Sequence, residues 1–95
     1  MQNADPMLVL VRRADAARRE GRPGEAARAL EQALRSDDFS QKARVEAYLA
    51  LGKCYDELGR RRDAQACYRR ILALTDDWNY REPARRYFRK PFRAA

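Results

Sequence analysis

The sequence predicts an all-α chain of about five helices, arranged as stacked helical hairpins, and three observations carry that expectation. Ala, Leu and Arg dominate while only four glycines and four prolines interrupt 95 residues, and no segment alternates apolar with polar residues for long, so helices are favoured over strands. The spacing of Tyr48, Leu51-Gly52, Tyr55, Gly59, Ala64 and Tyr68 puts small residues where two antiparallel helices touch and rings in the gaps beside them. Finally, the run from Gly21 to Leu30 recurs as Gly59 to Tyr68, with the glycine, an acidic residue, an alanine and a large apolar residue each displaced by 38 positions. A recurrence of that length marks stacked hairpins.

Asp5-Pro6 opens the first helix, because Asp accepts orphan backbone N–H groups and Pro has no N–H to leave unpaired. This helix is expected to reach about Glu20. Its start, Met7-Leu8-Val9-Leu10-Val11, goes all the way round a helix at about 100° per residue. One neighbour cannot cover such a band, so these five residues are expected to meet a partner or a second copy of the chain; a short strand is the alternative. Gly21 supplies a left-handed end. Pro23 then starts a second helix carrying Ala26, Leu30, Ala33 and Leu34 on one face. Ser36 to Ser40 reads as a turn, with Ser40 capping helix three and Phe39 stapling its entry. Helix three is expected over about Gln41 to Leu58, stopped by Gly59, and helix four over about Arg61 to Leu74. Thr75-Asp76-Asp77 breaks the chain before a basic helix between about Tyr80 and Lys90, bounded by Pro91.

Of the net charge of +7, all lies late in the chain: residues 1–59 carry ten basic and ten acidic side chains, residues 60–95 eleven and four. Such asymmetry points to an acidic partner or to solvated helix faces. Cys54 and Cys67 are the only thiols and there is no histidine, too few ligands for a structural zinc site. Packed small hydrophobes are the favoured role and a disulfide the alternative; the former suits a reducing compartment, so a cytoplasmic location is expected. Met7 to Val11 is too short for a signal-peptide core or a membrane span. No glycine-rich phosphate loop is apparent, and neither cysteine has a histidine base. No enzymatic activity and no cofactor are expected.

On Tyr48, Leu51-Gly52, Tyr55, Gly59, Ala64 and Tyr68, the chain resembles the tetratricopeptide repeat (TPR) family. Tyr48, Tyr55 and Tyr68 match that family's three aromatic places, Leu51-Gly52 its Leu-Gly, Gly59 its turn glycine and Ala64 its small contact residue. A first copy, about 7–40, keeps Ala14, Ala17, Gly21, Ala26, Leu30 and Ala33 but has Arg13 for the family's Leu, so it is degenerate. The second copy spans about 45–78, and the helix near 80–90 resembles the family's terminal solvating helix. The 38-residue separation is then a 34-residue period with four residues inserted in the Ser36 to Ser40 turn. The resemblance implies one domain over 1–95, a right-handed α-solenoid in which each hairpin hides a face on its neighbour.

It also implies a protein-interaction module, adaptor or chaperone-like, with a concave surface formed by the first helix of each repeat. Residues matching groove-facing places are Arg12, Asp15 and Arg19 on helix one and Leu49, Lys53 and Asp56 on helix three, joined by Tyr80 and Arg81. A mixed-charge groove suits a peptide or helical segment of another protein, acidic segments included. Asp15 stands where the Asn of the carboxylate clamp found in some relatives is wanted, so binding of a chaperone tail is not expected. On the last helix, Arg81, Arg85 and Arg89 form one row and Arg86, Lys90 and Arg93 a second. Arginine forks onto phosphate or carboxylate, so a nucleic-acid-binding accessory protein is the alternative function. Tyr80, Ala84, Tyr87 and Phe88 form a stripe expected to pack on Ile71 and Leu74.

Overall fold

Helix boundaries in the computed structural model, which describes residues 5–36 and 38–94, follow the capping chemistry closely. Five helices run in order: α1 (Pro6–Arg19), α2 (Pro23–Ala33), α3 (Gln41–Glu57), α4 (Arg61–Leu74) and α5 (Trp78–Arg89). The Asp5 carboxylate accepts from the Met7 N–H at 2.9 Å, and the Ser40 hydroxyl accepts from the Ala43 N–H at 3.1 Å. Asp37, part of the expected turn, lies outside the described residues. Trp78 begins α5 two residues before the expected start, because the Asp77 carboxylate caps it by accepting from the Asn79 N–H. Pro83 sits inside that helix, where its missing N–H removes one backbone bond.

The two hairpin turns share one construction. Gly21 and Gly59 have φ of 86° and 74°, a region that penalises any Cβ. In the first turn the Arg22 N–H reaches the Ala17 carbonyl and the Gly21 N–H that of Arg18; in the second, Arg60 reaches Tyr55 and Gly59 reaches Asp56. These paired bonds satisfy the last carbonyls of each leading helix and fold the chain back.

Each helix packs on the next, and α3 also touches α1 and α5, so the leading helices stand side by side. Between α3 and α4 the backbones come close at Gly52, where an added Cβ would lie 2.5 Å from the Tyr68 ring. Tyr68, Ile71, Leu30, Val45 and Met7 are all fully buried in one continuous core. Ala84 is buried in the same core, with Tyr80, Tyr87 and Phe88 partly buried against it.

The apolar start of α1 corrects one expectation. Met7 and Val11 are buried in the chain's own core, and Leu8 and Leu10 are half-buried against it. Helix α1 meets both α2 and α3, so two neighbours cover what one could not, and only the half-buried Val9 lies outside that packing. Cys54 and Cys67 are buried free thiols. No helix among the described residues is long and apolar enough to cross a membrane.

Candidate functional site

Arg18, which composition gave no reason to single out, anchors the face shared by α1 and α3. Its side chain is 5% exposed, and its guanidinium donates to Asp15 at 3.0 Å and 3.2 Å and to Glu57 at 3.1 Å. Burial alone lowers its pKa, but the bonds to Glu57 and Asp15 outweigh burial and the net shift is upward. Arg18 therefore ties α1 to α3 as a fully paired charge. Its partners Asp15 and Glu57 are partly exposed, so the link adds a charged tie to the direct packing of α1 on α3.

Asp56 plays the corresponding part in the second hairpin. It stands 38 residues after Arg18, the offset that relates Gly21 to Gly59. Its side chain, 1% exposed, pairs with the Arg61 guanidinium at 3.0 Å. It also accepts from the Tyr68 hydroxyl at 2.7 Å and from the Phe92 backbone N–H at 2.9 Å. Burial, and then the bond to Asp56, push the Tyr68 hydroxyl pKa upward. Asp56 is thus an internal acceptor with three donors. The expectation that it lies open to a guest is corrected, since its helix position faces the α4 turn as well as the concave side.

The segment after α5 completes this face. Arg61 and Gln65 donate to the Phe88 carbonyl at 2.7 Å and 3.1 Å, which pins the end of α5. Lys90 is extended and Pro91 cannot donate to a continuing helix, so the chain turns across the leading helices. The Phe92 ring then lies 5.0 Å from the Arg18 guanidinium carbon and 5.1 Å from the Lys53 Nζ. Tyr87 forms a T-shaped pair with it at 5.3 Å between centroids. Beside it a hollow of about 440 Å³ is lined by Arg18, Arg19, Lys53, Phe92 and Ala94.

Of the sequence-predicted groove residues, Arg19 and Lys53 share this hollow, and Asp15 holds Arg19 at 3.2 Å as well as Arg18. Leu49 is half-buried against the core, and Arg12 is exposed. Lys53 is half-buried, and burial lowers its pKa, with Asp15 raising it and Arg18 and Arg19 lowering it further. Among the described residues no carboxylate forms an ion pair with Lys53. Tyr80 lies apart: its hydroxyl donates to Glu46 at 2.7 Å, and it lines a separate hollow with Gln41, Lys42, Val45 and Asp77. Sequence reasoning missed Arg18, Glu57 and Phe92. The repeat offset from Asp56 to Arg18 was the available signal for the first.

The basic helix does not present two intact rows. Arg81 donates to the Leu72 and Thr75 carbonyls at 2.7 Å and 3.0 Å, satisfying the exposed end of α4. Arg86 pairs with Glu82 at 2.8 Å. Arg85, Arg89, Lys90 and Arg93 remain exposed. The expected patch therefore shrinks to four residues without an ion pair among the described residues.

In comparisons with known proteins, residues 17–82, more than half of the chain, match the family model described as tetratricopeptide repeat. The match runs from the last turn of α1 into α5. No curated protein and no solved structure matches.

Proposed function

This chain belongs to the tetratricopeptide repeat family, and we propose that it is an adaptor or chaperone-like module holding an extended segment of a larger partner protein along the face of α1 and α3. Tetratricopeptide repeats generally mediate protein–protein interaction. The observation that carries the finer reading is Lys53: half-buried, in no ion pair among the described residues because the nearby Asp15 is already bonded to Arg18 and Arg19, and open to the hollow it shares with Arg19. A desolvated ammonium of this kind gains more from a guest carboxylate than an exposed one does. The guest is therefore an acidic segment, with Arg19 and Arg12 along its path. The two buried thiols support a reducing, cytoplasmic setting.

Immobilised protein incubated with native lysate at low and high salt tests this reading. Lys53→Glu is expected to abolish capture and Arg19→Glu to weaken it, while the triple change of Arg85, Arg86 and Arg89 to Ala leaves capture intact. Capture that ignores Lys53→Glu would overturn the groove reading. Arg85, Arg89, Lys90 and Arg93, exposed and without an ion pair among the described residues, favour a second reading, nucleic-acid binding. In that case affinity falls steeply with salt and disappears in the triple variant.

A further inference from the structure

We propose that the segment 91–94 is an internal occupant of the groove, a strap that holds the place of a guest whose extended backbone carries an aromatic side chain next to an acidic one. This rests on the groove reading and specifies the guest. The strap makes two kinds of contact. Its Phe92 N–H donates to Asp56 at 2.9 Å, a bond any extended residue other than proline can make. Its Phe92 ring is read by chemistry instead: cations from Arg18 and Lys53 at 5.0 Å and 5.1 Å and the T-shaped pair with Tyr87 at 5.3 Å suit an aromatic face and no aliphatic side chain. Arg18 and Asp56 occupy the same place in successive hairpins, so a single residue is gripped by both copies of the repeat.

The strap is poorly matched in charge to the place it fills. Around Phe92 stand Arg18, Arg19 and Lys53 on one side. On the other, Arg93 shares a hollow with Arg61, Asp56, Gly59 and Pro91. Arg18, Arg19 and Arg61 are already paired with carboxylates, so Lys53 and Arg93 bring an excess of positive charge. A guest with Glu or Asp beside its aromatic residue keeps the ring and backbone contacts and replaces the like-charge crowding with attraction. The hollow of about 440 Å³ beside Phe92 leaves room for such a side chain to approach before the strap leaves. An occupied groove weakens apparent affinity by the fraction of time it is open; a strap closed about nine-tenths of the time reduces guest affinity about tenfold.

The test uses the full chain and three blocked pentapeptides: Lys-Pro-Phe-Arg-Ala, copied from residues 90–94, the same peptide with Glu for Arg, and the Glu peptide with Ala for Phe. Binding is read by fluorescence anisotropy on wild type and on Phe92→Ala, with Phe92→Leu as a milder second variant and circular dichroism to show that each is folded. The Glu peptide is expected to bind Phe92→Ala about tenfold more tightly than wild type, Phe92→Leu to fall between, the Arg peptide to bind more weakly than the Glu peptide, and the Ala peptide not to bind. In wild type, added Glu peptide is expected to speed hydrogen exchange at the Phe92 amide. Equal affinity for wild type and Phe92→Ala, or no binding to Phe92→Ala, overturns the strap. If Lys53→Glu still abolishes partner capture in that event, the groove reading survives without it.

Discussion

The two hairpins fill the same helix contact with different pairs of residues. In the second, Gly52 on α3 faces the buried Tyr68 on α4, so closely that an added methyl would meet the ring at 2.5 Å. At the same offset the first hairpin has Ala14 and Leu30, both buried: a methyl is added on the leading helix and the ring is reduced to an isobutyl group on the following one. The summed volume is roughly conserved, which is what a close-packed interior requires. A copy that looks degenerate against the family pattern can therefore keep the hairpin geometry. The buried charges differ in the same way. Arg18 in the first hairpin and Asp56 in the second have opposite signs, and both reach Phe92. One face built from two unlike copies thus has a different chemistry at each end, which a perfect repeat could not offer.

The largest expected effect breaks this comparison outright. Gly52→Ala should destabilise by about 3 kcal/mol, since the fully buried ring has nowhere to go, whereas Ala14→Gly should lose about 1 kcal/mol through helix propensity. Urea denaturation of both variants checks the difference. Adding Tyr68→Leu to Gly52→Ala imports the first hairpin's pair and should recover part of the loss, even though the Tyr68 hydroxyl bond to Asp56 goes with it.

Next come the buried charges. Asp56→Ala removes the acceptor of three donors and leaves the Tyr68 hydroxyl buried without a partner, with an expected loss of about 3 kcal/mol. Arg18→Ala should lose less, about 1.5 kcal/mol, because Asp15 and Glu57 are partly exposed and water can take over. Thermal melts followed by circular dichroism would rank the two, and a larger loss at Arg18 would mean that the first hairpin carries the tighter network.

Where the hairpins are built alike, they should respond alike. Nothing lies within 4 Å of a Cβ added at Gly21 or Gly59, so alanine at either meets only the left-handed backbone penalty, about 1 kcal/mol. Equal shifts in urea midpoint are expected from the two variants.

Near neutral pH the smallest effect is that of titration; it grows only above about pH 9, and it separates the hairpins again. Burial pushes the Cys54 thiol up to about 11 and the Cys67 thiol up to about 12 from an ordinary 9.0, and both belong to the second hairpin. Their folded-state values are raised, so the stability they contribute is fully present below about pH 9 and is lost as pH climbs towards those values, because only the unfolded chain releases the protons early. Lys53 acts in the opposite sense, its lowered pKa adding stability as pH rises towards 10.5. Native thiols should resist alkylation at pH 8 and react once denaturant is added. Proton exchange above pH 9, corrected for its intrinsic pH dependence, should show α3 and α4 loosening before α1 and α2.

Much of this fold was legible because capping is local. Asp5, Ser40, Gly21 and Gly59 act within a few residues of themselves, and the helices they bound lie where the sequence put them. Asp77 also caps locally, but Thr75-Asp76-Asp77 reads equally as a break, and the expected start of α5 falls two residues after the observed one. The site was harder, because its contacts join distant positions. Arg18 meets Glu57 across 39 residues and Asp56 meets Phe92 across 36, and helix periodicity is silent at that range. Helical spacing points Asp56 outward because it does not register Tyr68, Arg61 and Phe92, which enclose it from later in the chain. Met7 to Val11 points to a partner when read alone, because the number of neighbours around α1 depends on stacking, which no single helix reveals.

The central claim is that both hairpins close on one residue, Phe92, through equivalent positions. Nuclear Overhauser contacts from the Phe92 ring of the free chain test it most directly. The account expects contacts to the Arg18 and Lys53 side chains in the same sample, together with slow exchange of the Phe92 amide. A ring that shows neither contact, with an amide exchanging at the rate of a free peptide, would contradict it.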